Sequence, residues 1–196
     1  MKKLNLSHGW IAHEPQFMSF TNADELYKHL LHQLNWQGGD ITLFGKTYPI
    51  PRKQVYFSEP HLGYSYSGKS LTIIPWDDQV FSLKQKIESF IQAEFNACLA
   101  NLYRNGLDSN GWHADNEKEL GINPIIASIS LGATRKFSLK HRETGELLHV
   151  NLQHGSLFVM GGELQHYWKH TVPKEPKIKE PRINLTFRKV LPLKID

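Results

Sequence analysis

Arg182-Ile183-Asn184-Leu185-Thr186-Phe187-Arg188 alternates polar and apolar residues without a break. On an extended strand successive side chains point to opposite faces. Ile183, Leu185 and Phe187 therefore share one face, and Arg182, Asn184, Thr186 and Arg188 share the other. The apolar face must be buried. The polar face then carries two guanidiniums with hydrogen-bonding groups between them, directed either to solvent or into the mouth of a barrel. At ~3.3 Å per residue the two arginines lie roughly 20 Å apart, far enough to serve different groups. Forked guanidiniums suit two-point recognition of carboxylates.

Upstream of this segment the same period of two, or a short apolar run, recurs. Ala97–Arg104, Ile125–Leu131, Arg135–Lys140, Leu147–Leu152, Ser156–Met160 and Tyr167–Val172 read as strands, with the last strand running over Arg182–Val190. Gly, Pro, Asn or Asp separates most of them. Pro173 to Pro181 is a polar, proline-rich loop, too short to link domains. The first half differs. Leu26, Leu30 and Leu34 predict a helix over residues 22–34, capped by Asn22 or Asp24. Val80, Leu83, Ile87, Phe90, Ile91 and Phe95 predict a second helix from Asp77 to Asn96, its stripe serving core packing. Residues 36–75 are rich in Gly, Pro and aromatics and read as short strands and loops. Two helices followed by many short strands give an α+β fold: a double-sheet β roll buttressed on one side by helices.

Bulk properties narrow the class. A chain of 196 residues is the size of one large domain, with 40% hydrophobic and 21% charged residues. The single cysteine, Cys98, cannot form an internal disulfide, which fits a reducing compartment. No apolar run follows Met1-Lys2-Lys3 and no stretch of ~18 apolar residues occurs, so a cytoplasmic protein, or a nuclear one in a eukaryote, is expected. Net charge is +4 and pI about 9.1, as nucleic-acid-binding domains often show and other proteins share. Lys46, Arg52, Lys53 and Lys69 sit among aromatics, and Lys136, Lys140, His141 and Arg142 cluster later.

Trp112-His113-Ala114-Asp115 carries the chemistry. Residues two apart on an extended segment project to the same side, so His113 and Asp115 can converge on one ion. A distant second histidine would complete a two-His, one-carboxylate face, the set that holds iron(II) and leaves positions open for a co-substrate and oxygen. Alone the pair is commonplace, and Asp115 orienting His113 by a hydrogen bond explains it equally simply. Asn101 and Tyr103 face one way on a strand ending near Gly106, an amide and a phenol that could bind a dicarboxylate; alone, Tyr103 reads as a core aromatic. No Ser-His or Cys-His set suggests a protein nucleophile.

Taken together, Asn-x-Tyr, His-x-Asp, a late histidine and Arg-x-Asn-x-Thr-x-Arg resemble, in order and spacing, the signature of the AlkB family of nucleic-acid dealkylases. Phe44-Gly45-Lys46, Pro51-Arg52-Lys53-Gln54, Tyr66-Ser67-Gly68, His154-Gly155-Ser156 and Pro181 to Lys189 are similar to the branch that acts on DNA in eukaryotes. The resemblance spans about residues 40 to 190. It implies a double-stranded β-helix (jelly-roll, cupin-like) core over 76–190, a nucleotide-recognition lid over 36–75 and an N-terminal helical region over 1–35, in one domain.

The resemblance further implies iron(II) held by His113, Asp115 and His170, with 2-oxoglutarate bound by Asn101, Tyr103, Arg182, Asn184 and Arg188. Arg182 would take the distal carboxylate and Arg188 the end nearest the metal. His166, four residues from His170 and facing the same way if both lie on a strand, is the rival ligand. Tyr66 matches an aromatic that stacks on a flipped base and Phe44 an apolar finger that fills the gap left behind. Tyr64 and Glu117 would read base edges, Glu117 favouring cationic lesions such as 1-methyladenine or 3-methylcytosine. Arg52 and the other basic residues would meet phosphates. The implied protein is a monomeric dioxygenase that uses molecular oxygen to dealkylate bases in DNA, releasing formaldehyde and succinate. An oxygenase of RNA or of a protein side chain, and a non-catalytic nucleic-acid- or metal-binding β domain, are the other readings.

Overall fold

The computed structural model of the chain describes residues 1–43, 45–59, 65–66, 69–70 and 72–192, with residues 41–43, 65–66 and 69–70 given by backbone alone. It opens with a hairpin that the sequence reading had not separated from the helical region: β1 (Lys2–Leu6) pairs antiparallel with β2 (Gly9–Glu14). Helix α1 covers Phe20–Gln33, and its cap is Ser19, whose Oγ accepts from the Asn22 amide at 3.2 Å, rather than Asn22 or Asp24. A serine hydroxyl satisfies an otherwise orphaned first-turn N–H, so the helix begins upstream of its apolar stripe. After β3 (Asp40–Leu43), β4 (Lys46–Pro49), β5 (Lys53–Ser58), β6 (Ser65–Tyr66), β7 (Lys69–Ser70) and β8 (Ile73–Ile74) comes α2, Asp78–Ile91. Asp77 caps α2 through Gln79 and Val80. The helix stops short of Asn96 because Gln92 turns left-handed (φ 55°) and the Glu88 carboxylate takes the Phe95 amide at 2.7 Å.

The remaining elements are β9 (Ala97–Tyr103), β10 (Asn110–His113), a 3-10 turn (Lys118–Leu120), β11 (Ile126–Gly132), β12 (Arg135–His141), β13 (Leu147–Leu152), β14 (Ser156–Gly161), a single helical turn α3 (Leu164–Tyr167), β15 (Trp168–Val172) and β16 (Arg182–Arg188). They form two sheets. The larger has the order β1-β2-β14-β11-β16-β9-β5-β8, the smaller β10-β15-β12-β13. Two short hairpins, β3-β4 and β6-β7, stand apart from both.

Two apolar clusters show how the layers stack. Ala23, Leu26 and Leu30 of α1 and Val80, Leu83 and Ile87 of α2 pack with Cys98, Ala100 and Leu102 of β9 and Ile183, Leu185 and Phe187 of β16. The second cluster lies between the sheets, joining Tyr103, Ile126, Phe158 and Met160 to Phe137, Leu139, Trp168 and Val172. The larger sheet thus has helices on one face and the smaller sheet on the other, a jelly roll. Both faces of β16 are buried, so its alternation separates two interiors rather than interior from solvent. The proline-rich loop is tied down through Gly106, whose N–H donates to Ile178 O at 2.9 Å and whose carbonyl accepts from Glu175 N at 2.7 Å.

Candidate metal and co-substrate site

β10 and β15 are paired with His113 directly opposite His170, so the two imidazoles emerge side by side from the inner face of the smaller sheet. Their rings lie 4.2 Å apart at 65°. Asp115, just beyond β10, turns back between them, with Oδ1 3.8 Å from His113 Nε2 and Oδ2 4.0 Å from His170 Nε2. One ligand atom from each of the three residues falls within 4.8 Å of the others. His166 belongs to α3, ahead of the strand, and its side chain is exposed. It does not share a face with His170, because the chain is helical there.

The protonation states suit a cation. His113 Nδ1 lies 2.8 Å from Gly111 O, which makes Nδ1 the N–H and leaves Nε2 unprotonated, 3.2 Å from Asn110 Nδ2 and 3.8 Å from Asp115 Oδ1. Burial lowers the His170 pKa to about 3, helped by His113 and Arg188, so this imidazole is neutral at any ordinary pH. Burial likewise lowers His113. For Asp115 burial acts upward, but Arg188, His170 and His113 outweigh it and hold the carboxyl at about 2. Two buried polar atoms, Asp115 Oδ1 and His170 Nδ1, have no hydrogen-bond partner among the described residues. Buried polar atoms are rarely left unmet. A buried carboxylate oxygen without a donor, between two neutral imidazoles, fits a divalent ion, and two imidazoles with one carboxylate are the donor set of iron(II) sites with open positions.

Beside the triad lies a cavity walled by Asn101 and Tyr103 of β9, Ser128 of β11, and Asn184, Thr186 and Arg188 of β16. These residues come from neighbouring strands in register, Asn101 opposite Asn184 and Asn184 opposite Ser130. Arg188 Nη2 donates to Asp115 Oδ2 at 2.9 Å, placing its guanidinium at the metal end. Arg182 lies toward the other end of β16, 1% exposed, donating from Nη2 to Ser130 Oγ and Asn184 Oδ1 at 2.8 Å each. Its Nε and Nη1 make no hydrogen bond of good geometry among the described residues, with Tyr103 beside the guanidinium (5.3 Å to its ring centre), and burial lowers its pKa to about 10 against the opposing effect of Tyr103. A buried cation with two unmet N–H groups calls for a carboxylate.

The other expected residues are distributed unevenly. Glu117 is partly buried next to the 3-10 turn; burial and the charge of Asp115 raise its pKa, and Oε2 has no hydrogen-bond partner among the described residues. Lys46, Lys136, Lys140 and Arg142 are exposed. Arg52 is not. It is 6% exposed, with Nε on Asn101 Oδ1 and Nη1 on Ser109 O, so it stands behind the cavity-lining Asn101 rather than among the exposed basic residues. Phe44 and Tyr64 lie outside the described residues, and Tyr66 is described only as the backbone of β6.

Sequence reasoning passed over several residues of the site. Gln165 Oε1 accepts the Asp115 amide at 2.9 Å, Asn110 Nδ2 sits 3.2 Å from His113 Nε2, and Gln54 donates to Asn101. Ser128 and Ser130 alternate with Ile129 and Leu131, the one local signal that could have marked β11 as a second polar wall.

Comparison with known proteins follows the same lines. Residues 11–188 match the family model described as the 2OG-Fe(II) oxygenase superfamily. The chain is 39% identical over 188 residues to the bovine (Bos taurus) alpha-ketoglutarate-dependent dioxygenase alkB homolog 3, covering 91% of this chain and 65% of that protein. It thus spans less than two thirds of that relative's length. It is 35% identical over 183 residues to the mouse (Mus musculus) DNA oxidative demethylase ALKBH2, covering 88% of this chain and 77% of the relative. A solved structure of OsALKBH1 superposes with a TM-score of 0.61 over 91% of this chain and 97% of that one, at 19% identity.

Proposed function

Because this chain belongs to the AlkB family within the 2OG-Fe(II) oxygenase superfamily, we propose that it is an iron(II)- and 2-oxoglutarate-dependent dioxygenase that removes alkyl groups from nucleobases, with DNA as the principal substrate. The observation that carries this reading is the buried His113–Asp115–His170 cluster with an unmet carboxylate oxygen, set beside a cavity lined by Asn101, Tyr103, Asn184 and Arg188. Iron(II), 2-oxoglutarate and oxygen together supply the oxidising power that hydroxylates an N-alkyl carbon, releasing aldehyde and the unmodified base.

The protein's own part is orientation and exclusion of water. His113 and His170 offer neutral nitrogens, and Asp115 offers a charge that Arg188 holds in place. Arg182, with two N–H groups unmet, takes the carboxylate far from the metal, and Arg188 sets the near end. The apolar inter-sheet cluster around Phe137 and Met160 keeps the cavity dry. A base within a duplex cannot reach this depth, so the substrate is flipped out or already single-stranded. Tyr66 and Phe44 are assigned to stacking and gap filling, Tyr64 and Glu117 to the base edge. The carboxyl of Glu117, close to Asp115, favours a cationic lesion such as 1-methyladenine or 3-methylcytosine.

The test is incubation with iron(II), 2-oxoglutarate and oligonucleotides carrying 1-methyladenine, in matched single-stranded DNA, duplex DNA and RNA, followed by mass spectrometry. Succinate, formaldehyde and a net loss of one CH2 mass (CH3 replaced by H) are expected, and Asp115→Ala should abolish all three. Turnover that survives Asp115→Ala, or a preference for RNA or a methylated peptide over DNA, would overturn the ligand assignment or the substrate respectively.

A further inference from the structure

Asn101 lies on β9 at 5% exposure and lines the cavity beside the triad. Its Oδ1 accepts two hydrogen bonds of 3.0 Å, from Arg52 Nε and from Gln54 Nε2. The Arg52 N–H, which can only donate, decides which end of the carboxamide is oxygen, and the Gln54 amide, free to turn either end, follows it. The reverse orientation would set an NH2 group against the Arg52 N–H. Nδ2 therefore points away from Arg52 and Gln54, and it has no hydrogen-bond partner among the described residues.

The surroundings give this arrangement a direction. Gln54, Asn101, Asn184 and Ser130 stand opposite one another on β5, β9, β16 and β11, a polar row across the inner face of the larger sheet. Arg52, just ahead of β5, reaches past this row. Its Nη1 donates to Ser109 O at 3.3 Å, and Ser109 N donates in turn to Pro51 O at 3.0 Å. Ser109 immediately precedes β10, the strand that carries His113. The same guanidinium thus touches the wall that would meet the co-substrate and the strand that holds the metal. Among the described residues Arg52 has no carboxylate within ion-pair distance, although it is 6% exposed. A buried cation without a counter-ion is costly, and a dicarboxylate in the adjoining cavity would offset that cost.

We propose that Arg52 and Gln54 are positioning residues for the co-substrate: they lock the Asn101 carboxamide with Nδ2 aimed into the cavity as a donor to a carboxylate oxygen, and Arg52 ties that donor to the strand bearing His113. The inference rests on the 2-oxoglutarate reading of the cavity. Neither residue touches the co-substrate; both act through Asn101.

The experiment is calorimetric titration of 2-oxoglutarate into the Mn(II)-loaded full chain, for wild type, Asn101→Ala, Gln54→Met, Arg52→Lys and the double variant Gln54→Met/Asn101→Ala. Losing one neutral hydrogen bond to Asn101 should weaken 2-oxoglutarate binding about fivefold in Gln54→Met, and losing the charged fork about tenfold in Arg52→Lys. Mn(II) affinity in Gln54→Met should stay at the wild-type value. In the Asn101→Ala background Gln54→Met should have no further effect, a coupling that a merely structural contribution would not produce. Should Arg52→Lys fail to fold, Gln54→Met and the double variant still decide the matter. Wild-type affinity in Gln54→Met, or equal losses with and without Asn101, overturns the proposal while leaving the co-substrate reading intact. No 2-oxoglutarate binding by the wild-type Mn(II) protein overturns both.

Discussion

Burial without a full set of hydrogen-bond partners is the common thread at single residues. His170 is 3% exposed and its pKa is about 3, below the ordinary 6.5 of a free imidazole. As pH falls, the unfolded chain takes this proton before the folded one does. The metal-free protein therefore has its full stability above about pH 6.5 and loses it progressively as pH drops toward 3. Thermal denaturation of the metal-free protein between pH 7 and 4 should show that slope, and His170→Gln should flatten it; an unchanged slope in the variant would refute the assignment. Arg182 makes a second, opposite case. A buried guanidinium with unmet N–H groups contributes little to stability or weakens it. Arg182→Met should leave the melting temperature unchanged or higher while lowering 2-oxoglutarate affinity tenfold or more. A large drop in melting temperature would mean that Arg182 is a structural contact.

At the scale of an element, β16 tests the account most sharply, because its two faces do different things. Leu185 is fully buried under the helices and Asn184 faces the cavity. Leu185→Ala should cost about 2–5 kcal/mol of stability by chemical denaturation, with the KM for 2-oxoglutarate unchanged in the folded fraction. Asn184→Ala should raise that KM with little change in stability. The reverse pairing of phenotypes would mean that the strand is rotated. The strict alternation of Arg182 to Arg188 made both faces legible, since a period of two admits one arrangement. β10 was illegible for a physical reason: Asn110–His113 is short, irregular in register and carries no apolar alternation. Its place depends on pairing with β15, 57 residues from His113 by sequence number (170 − 113). The hairpin of β1 and β2 escaped for a related reason. Ile11 and Ala12 are buried only because β2 extends the larger sheet next to β14, and Trp168 Nε1 reaches Ser7 O at 2.8 Å. Local pattern carries none of that.

Across the whole molecule the site exists only because two sheets face each other. His113 and His170 come from the smaller sheet, Asn101, Asn184 and Arg188 from the larger, and Asp115 from the connection after β10. Binding a metal and a dicarboxylate between the sheets should therefore stabilise the whole fold. Mn(II) with 2-oxoglutarate, each at a hundred times its dissociation constant, should each add about 2.7 kcal/mol, and a chelator should remove the gain. No shift on chelation would mean that the sheets close without the ion. The sequence revealed the triad because residue types and spacing matched a known signature; the Arg52–Asn101–Gln54 fork was hidden, because a surface cation and a buried one read alike until the strands are assembled. The most direct test of the central claim is anomalous diffraction at the manganese edge from crystals grown with Mn(II) and 2-oxoglutarate. The account predicts one strong peak bound by His113, Asp115 and His170, with the dicarboxylate running from the metal toward Arg182. A peak ligated by His166, or metal bound elsewhere with the three side chains turned apart, would contradict it.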